Sequence, residues 1–205
     1  MNATPVVHVI DDDLDLRLSL ETLLRSVGLR TCLYETIPDV SAFASCSGPR
    51  CILVDVRLPG FSGLDFQDQL AKTETTIPLI FMTGYGDIPM TVRAMKAGAV
   101  DFLPKPFRDQ DMLDAVSRAL EIDRLKQARD SEVISLKKRY GELSLREKEV
   151  MALVTTGLMN KQIAGKLSLS EVTVKIHRGS AVRKMGARSL ADLVKMAETL
   201  GIHDR

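Results

Sequence analysis

Read by polarity, the first half of the chain alternates short apolar runs with longer amphipathic stretches. Val6-Val7-His8-Val9-Ile10 stops on Asp11-Asp12-Asp13, and Cys51-Ile52-Leu53-Val54 stops on Asp55 ahead of a Pro59-Gly60 turn. Pro78-Leu79-Ile80-Phe81-Met82 stops on Thr83, followed by Gly84-Tyr85-Gly86. Weaker runs at residues 31–34 and at Asp101-Phe102-Leu103 complete a set of five, the last leading into Lys105-Pro106. Unbroken apolar runs of this length predict strands buried on both faces. Between them lie helical patterns. One follows Asp13, carries Leu14, Leu18, Leu20, Leu23, Leu24 and Val27, and ends at Gly28; the others cover residues 40–44, 63–71 and 87–97, the last closed by Gly98. Five strands alternating with helices predict an α/β, flavodoxin-like (βα)5 unit with parallel order 2-1-3-4-5, since crossovers are right-handed.

The second half has only the helical period. Residues 107–140 contain no Gly or Pro. Met112, Leu113, Val116 and Leu120 pack the near end of this stretch on the sheet, while beyond Glu121 charges of both signs dominate. That pattern predicts a solvated helical linker, stiff enough to transmit orientation. Ser144-Leu145-Arg146-Glu147 is a capping box opening a helix with Val150, Leu153 and Val154 inward. Asn160 is expected to cap a short helix running to Leu167. Ser168-Leu169-Ser170 then turns the chain into a helix over 171–185, closed by Gly186, and Ser189-Leu190-Ala191-Asp192 starts the last one. Two helices joined by a three-residue turn are a helix-turn-helix pattern. The organisation expected is a first domain over 1–120, a helical linker over 121–140 and an all-α four-helix domain over 141–205.

Charge sharpens this division. The net charge of +1 hides 11 Lys and Arg against 18 Asp and Glu in residues 1–123, a net −7, and 17 against 9 in residues 124–205, a net +8. A basic second half points to nucleic acid. No apolar run is long enough to span a bilayer, and Met1-Asn2-Ala3-Thr4-Pro5 lacks the pattern of a signal peptide. Cys32, Cys46 and Cys51 have no metal-ligand spacing and are expected to be reduced structural thiols, which places the protein in a cytoplasm.

The predicted sheet gathers Asp11, Asp12, Asp55, Thr83 and Lys105 at the carboxyl ends of its strands, where open α/β sheets bind ligands. Two or three carboxylates in one place repel unless a cation neutralises them. An all-oxygen site with room for water suits Mg2+. An acidic strand-to-helix turn would repel a bare phosphate and accept one beside a metal. A solvated acidic helix N-terminus explains Asp11 to Asp15 taken alone. It does not explain a carboxylate, a hydroxyl and a lysine ending three further strands.

These residues carry a family resemblance. Asp11-Asp12, Val54-Asp55-Val56-Arg57-Leu58-Pro59-Gly60, Thr83-Gly84 and Lys105-Pro106-Phe107 resemble the receiver domain of two-component response regulators. Asn160-Lys161-Gln162-Ile163-Ala164 and its surroundings resemble the LuxR-type DNA-binding domain. Together they resemble the FixJ group of NarL-class regulators, the StyR-like members in particular. The resemblance implies that Asp55 accepts a phosphoryl group from a sensor histidine kinase. It implies Mg2+ on Asp12, Asp55 and the Arg57 carbonyl, with Asp11 acting through water. Lys105 and Thr83 would hold the phosphoryl group, Phe102 would be the aromatic switch, and the Lys105–Pro106 bond would be cis. Beyond its own phosphoryl transfer and dephosphorylation, no enzymatic activity is implied.

For the output, helical spacing over 171–185 puts Val174, His177, Ala181 and Met185 inward and Lys175, Ile176, Gly179, Ser180 and Arg183 outward, flanked by Arg178 and Lys184. A cationic face with one apolar residue suits a major groove. The resemblance sets Lys175, Ile176 and Gly179 against bases and Lys161 and Thr173 near the DNA backbone. Gly179 costs about 1 kcal/mol of helix propensity and offers no side chain for readout. The resemblance further implies a homodimer paired through Val92, Met95 and Lys96 on promoter DNA, with RNA polymerase a further candidate partner; core packing is the competing explanation of Val92 and Met95. An aspartate-phosphate hydrolase would need a second acid two residues after the nucleophile, where Arg57 stands. A ligand-sensing LuxR-type regulator would not carry the acidic pocket.

Overall fold

The computed structural model describes residues 4–43, 48–73, 76–84 and 88–202. Ala44, Cys46, Tyr85, Gly86 and Asp87, which figure in the expectations above, lie outside the described residues. The chain divides into two compact units, Met1–Gln127 and Ala128–Arg205.

In the first unit five parallel strands, β1 (Val6–Ile10), β2 (Arg30–Tyr34), β3 (Arg50–Asp55), β4 (Leu79–Thr83) and β5 (Asp101–Pro104), form one sheet in the order β2-β1-β3-β4-β5. Successive side chains of a strand point to opposite faces, so the unbroken apolar runs build two cores. Val7, Val9, Leu53, Ile80 and Met82 face α1 (Leu14–Ser26) and the first turns of a long helix described below. Ile10, Ile52, Val54 and Phe81 face α2 (Gly63–Leu70), α3 (Ile88–Lys96) and a single 3-10 turn, Val40–Phe43, which replaces the short helix expected there. The register pairs Ile10 with Val54, Asp55 with Met82 and Thr83 with Pro104, which aligns the carboxyl ends of the strands.

The α1 stripe differs from expectation. Leu14, Leu18 and Val27 are exposed, and the inward face is Arg17, Leu20 and Leu24. Arg17 is drawn in because its guanidinium donates to the Asp11 carbonyl oxygen. The long helix, α4, runs unbroken from Asp109 to Gly141. The stretch expected to be solvated from Glu121 onward is still fastened to the first unit. Asp123, buried, accepts the Arg50 N–H (2.8 Å) and the Gln127 amide (2.6 Å), and Lys126 donates to the Thr76 carbonyl (2.7 Å).

The second unit packs α5 (Leu145–Thr155), α6 (Asn160–Leu167), α7 (Glu171–Met185) and α8 (Leu190–Thr199) around Val150, Met151, Val154, Ile163, Val174, Ala181, Met185 and Leu193, with Leu136 of α4 joining that core. Both bonds of the Ser144–Glu147 capping box are present. Asn160, however, is the first residue inside α6 and not its cap. Met159 takes the cap position, its N–H donating to Gln162 Oε1 (2.8 Å), and the Asn160 side chain instead accepts from Arg178. Among the described residues no helix is long and apolar enough to cross a membrane.

Two local features test this packing. A Cβ at Gly63 would lie 2.5 Å from the Asp55 carbonyl oxygen and 3.2 Å from Val56 Cα, so α2 can start against the end of β3 only without a side chain there. Gly63→Ala should destabilise the first unit by roughly 1–3 kcal/mol, the scale of an overpacked core, in urea denaturation; unchanged stability would mean that the helix start yields freely. His8 is fully buried beside Tyr34 and Phe43, and its Nε2 has no partner among the described residues. Burial first and the nearby Arg50 charge second bring its imidazole down to about 4. The neutral ring is therefore the folded form, and its contribution should be complete above the free-histidine range and decline as pH falls from about 6.5 to about 4. An NMR titration of the His8 ring protons with a midpoint at or above 6.5 would contradict this.

Candidate functional site

The aligned strand ends bring the expected acids together. Asp11, directly after β1, is fully buried; its Oδ1 accepts the Asp13 N–H (3.0 Å) and its Oδ2 accepts Lys105 Nζ (2.7 Å). Asp55, the last residue of β3, is almost as deep; its Oδ1 accepts the Arg57 N–H (2.8 Å) and its Oδ2 takes a second hydrogen bond from Lys105 Nζ. Asp12 is exposed at the mouth. One carboxylate oxygen from each of the three lies within 4.8 Å of the others.

Each position has a local cause. Asp13 caps α1 with its own carboxylate, accepting from the Asp15 and Leu16 amides, so the preceding acids are held at the strand end. Pro59-Gly60 closes a two-residue antiparallel ladder of Arg57–Leu58 with Phe61–Ser62, and Gly60 takes the positive φ (77°) of that turn. The ladder returns the chain at once into α2, under Asp55. Lys105 reaches in from the end of β5; its N–H donates to the Thr83 carbonyl (2.7 Å), and the Lys105–Pro106 bond is cis. Thr83 is fully buried at the end of β4, and the Phe102 ring packs against Phe81 at 6.2 Å between centroids.

Electrostatics make this pocket demanding. Two carboxylate charges no more than 4.8 Å apart repel by about 3 kcal/mol or more at an effective dielectric of about 20. Three such charges exceed what a single ammonium can balance. Burial raises the Asp11 carboxyl above its ordinary range against the opposing hydrogen bond from Lys105. Burial likewise works to lower the Lys105 ammonium, but its hydrogen bonds to Asp11 and Asp55, and then their charges, together raise it. The donors are all hard carboxylate oxygens and Asp12 opens the site to water, which fits Mg2+ better than a soft or imidazole-seeking metal.

At the dimer face expected from the resemblance, Val92 and Met95 are 44% and 43% exposed and Lys96 is also exposed, so core packing does not account for them. In the second unit, Lys175, Ile176, Gly179 and Arg183 are exposed along one side of α7, as is Lys161 at the start of α6. Val174, Ala181 and Met185 are buried, with His177 half-buried beside them. The remaining expected contacts turn elsewhere. Ser180 Oγ donates to Glu147 Oε1 (2.5 Å), Lys184 Nζ to Glu147 Oε2 (2.7 Å) and Arg178 Nη1 to Asn160 Oδ1 (3.0 Å). Thr173 pairs with the Ser170 hydroxyl (2.8 Å). Ser180, Lys184 and Arg178 are engaged within the unit because Glu147 and Asn160 are tertiary neighbours that helical spacing cannot reveal, although Lys184 remains partly exposed.

Sequence reasoning missed Arg17, Gly63 and the tertiary role of Glu147. Arg17 lay in a register taken up by leucines; an arginine on an otherwise apolar stripe was the available signal. Gly63 read only as a helix start, and nothing local marks its approach to Asp55.

The comparisons with known proteins address both units. Residues 7–117 match the response regulator receiver domain, and residues 141–197 match the bacterial regulatory proteins of the luxR family. Nodulation protein W of Bradyrhizobium diazoefficiens is 55% identical over 205 residues, covering 96% of this chain and 87% of that protein. Transcriptional regulatory protein FixJ of Rhizobium meliloti is 39% identical over 191 residues, covering 93% of this chain and 94% of that protein. The solved structure of response regulator StyR is similar at 46% identity and a TM-score of 0.78, covering 96% of this chain and 99% of that one. Likeness at this level, running through both halves at once, makes this chain a two-component response regulator of the FixJ type, a receiver domain followed by a LuxR-type DNA-binding domain.

Proposed function

We propose that this protein is a phosphorylation-dependent transcription regulator in which Asp55 receives a phosphoryl group from a histidine kinase. The observation that carries the reading is the convergence of Asp11, Asp12 and Asp55 around Lys105 at one sheet edge. In the transfer a carboxylate oxygen of Asp55 attacks phosphorus as the bond from phosphorus to the kinase histidine breaks. Lys105, already within hydrogen-bonding reach of Asp55, follows the new negative charge onto the phosphoryl oxygens. Asp12, Asp55 and the Arg57 carbonyl would hold Mg2+, with Asp11 acting through water, and the bound ion would supply positive charge where the equatorial oxygens crowd. A groove of about 940 Å3, lined by Leu16, Leu20 and Leu23 of α1 and by Lys105, Pro106 and Phe107, opens beside the site and offers a partner kinase a surface.

The output follows from the added charge. A phosphoryl group brings close to two negative charges, which favour the arrangement that draws Thr83 and Lys105 inward and let the Phe102 ring take a new position. That state pairs two receivers through Val92, Met95 and Lys96, whose exposure supports an intermolecular role. Pairing places two copies of α7 on half-sites of promoter DNA. Lys175 and Ile176 face bases and Lys161 and Arg183 lie along phosphates, with RNA polymerase a further partner. A cytoplasmic setting follows from these partners.

Asp55→Asn should abolish labelling by acetyl phosphate and by kinase, read as incorporated phosphate; labelling that survives would move the acceptor elsewhere. Lys175→Ala should weaken binding to a duplex selected from a random library by roughly 1–3 kcal/mol, the worth of one base contact. Unchanged affinity at physiological salt would remove α7 from the groove.

A further inference from the structure

Ser180 and Lys184 leave α7 on one flank of its exposed face and Arg178 on the other, roughly 120–160° apart at about 100° per residue. All three end on groups of the same unit. Ser180 and Lys184 bind opposite oxygens of the Glu147 carboxylate, at 2.5 and 2.7 Å, and Lys184 also approaches the Glu142 carbonyl (3.4 Å). Arg178 binds Asn160 at the start of α6 (3.0 Å). A third tie fixes the far end of α7, where Arg139 Nη1 donates to the Met185 carbonyl (2.7 Å). The Glu147 carboxylate is itself anchored, because Oε2 also accepts the Ser144 N–H (2.7 Å) and the side chain is 7% exposed.

We infer that Glu147 is a positioning residue that sets the rotation of the DNA-reading helix, and that Lys184 serves it rather than a DNA phosphate. Ser180 and Lys184 are one helical turn apart, so turning α7 about its axis by one residue would break both bonds together. The same rotation would carry Lys175, Ile176 and Gly179 away from the outward side. The Glu147 end of the clasp is a carboxylate at neutral pH. The Lys184 hydrogen bond first, then those of Ser180 and the Ser144 backbone, hold the Glu147 carboxyl down at about 2. A carboxylate on this flank would also repel DNA phosphates if Lys184 left it, which keeps the lysine in place.

This inference rests on α7 entering the groove, so the experiment tests that separately. The full chain, treated with acetyl phosphate, is assayed on a duplex selected by the wild type and on a scrambled duplex, across a salt series. Lys175→Ala reports on the groove, and an unchanged affinity for it would sink that reading and this one together. Lys161→Ala serves as the phosphate reference, its salt slope falling by about 0.9. Lys184→Met should leave the salt slope at its wild-type value while reducing the preference for the selected duplex by about tenfold, the scale of one mismatched base pair. Glu147→Gln should do the same, with scrambled-duplex binding unchanged or tighter and a cooperative thermal melt retained. If Glu147→Gln fails to fold, Lys184→Met and Ser180→Ala decide. A salt slope that falls in Lys184→Met as it does in Lys161→Ala, with both duplexes weakened equally, would overturn the inference, as would full preference kept by Lys184→Met and Ser180→Ala.

Discussion

The receiver unit depends on one arrangement that electrostatics opposes: two buried carboxylates share a single ammonium at the end of a parallel sheet. Asp11 and Asp55 are brought there by β1 and β3, neighbours in the sheet, and Lys105 by β5 at its edge. Lys105 could not move away without leaving both buried carboxylates unpaired, which costs several kcal/mol. The pocket therefore holds more carboxylates than its one lysine can balance, which supports the cation site and phosphoryl acceptor proposed above.

The surrounding sequence protects that arrangement. The Arg17 guanidinium steadies the backbone at Asp11, Asp13 caps the helix that follows, and Gly63 lets α2 begin against the carbonyl of Asp55. On the opposite edge of the sheet, Asp123, Lys126 and Gln127 fasten α4 to the backbone ahead of β3 and β4. The first turns of the same helix pack on the receiver core through Met112 and Val116.

In the second unit the basic charge divides into two populations. Lys161, Lys175 and Arg183 project outward, while Arg178 and Lys184 close onto Asn160 and Glu147. A net positive charge attracts a polyanion at long range, but orientation on a duplex depends on how the reading helix is mounted. On the inference drawn above, cations that serve the mounting contribute to specificity without touching DNA.

Much of this was legible along the chain. Strand order, the acid cluster, the capping box at Ser144 and the inward stripe of α7 all follow from unbroken apolar runs, the 3.6-residue helical period, turn residues and strand-terminal chemistry, which are local signals. That Arg17 shares the buried face of α1 with Leu20 and Leu24 was not read, because the arginine is drawn inward by a carbonyl six residues away. Nor was the seating of α4 beyond Glu121, where a buried aspartate meets a backbone amide 73 positions distant. The division of the α7 cations was hidden for the same reason: on a helical projection Lys184 flanks Arg183, and only folding places a carboxylate from α5 beside one of them. A sequence records which groups carry charge; which of those charges remain open to a partner is decided by the neighbours that tertiary packing brings within hydrogen-bond distance.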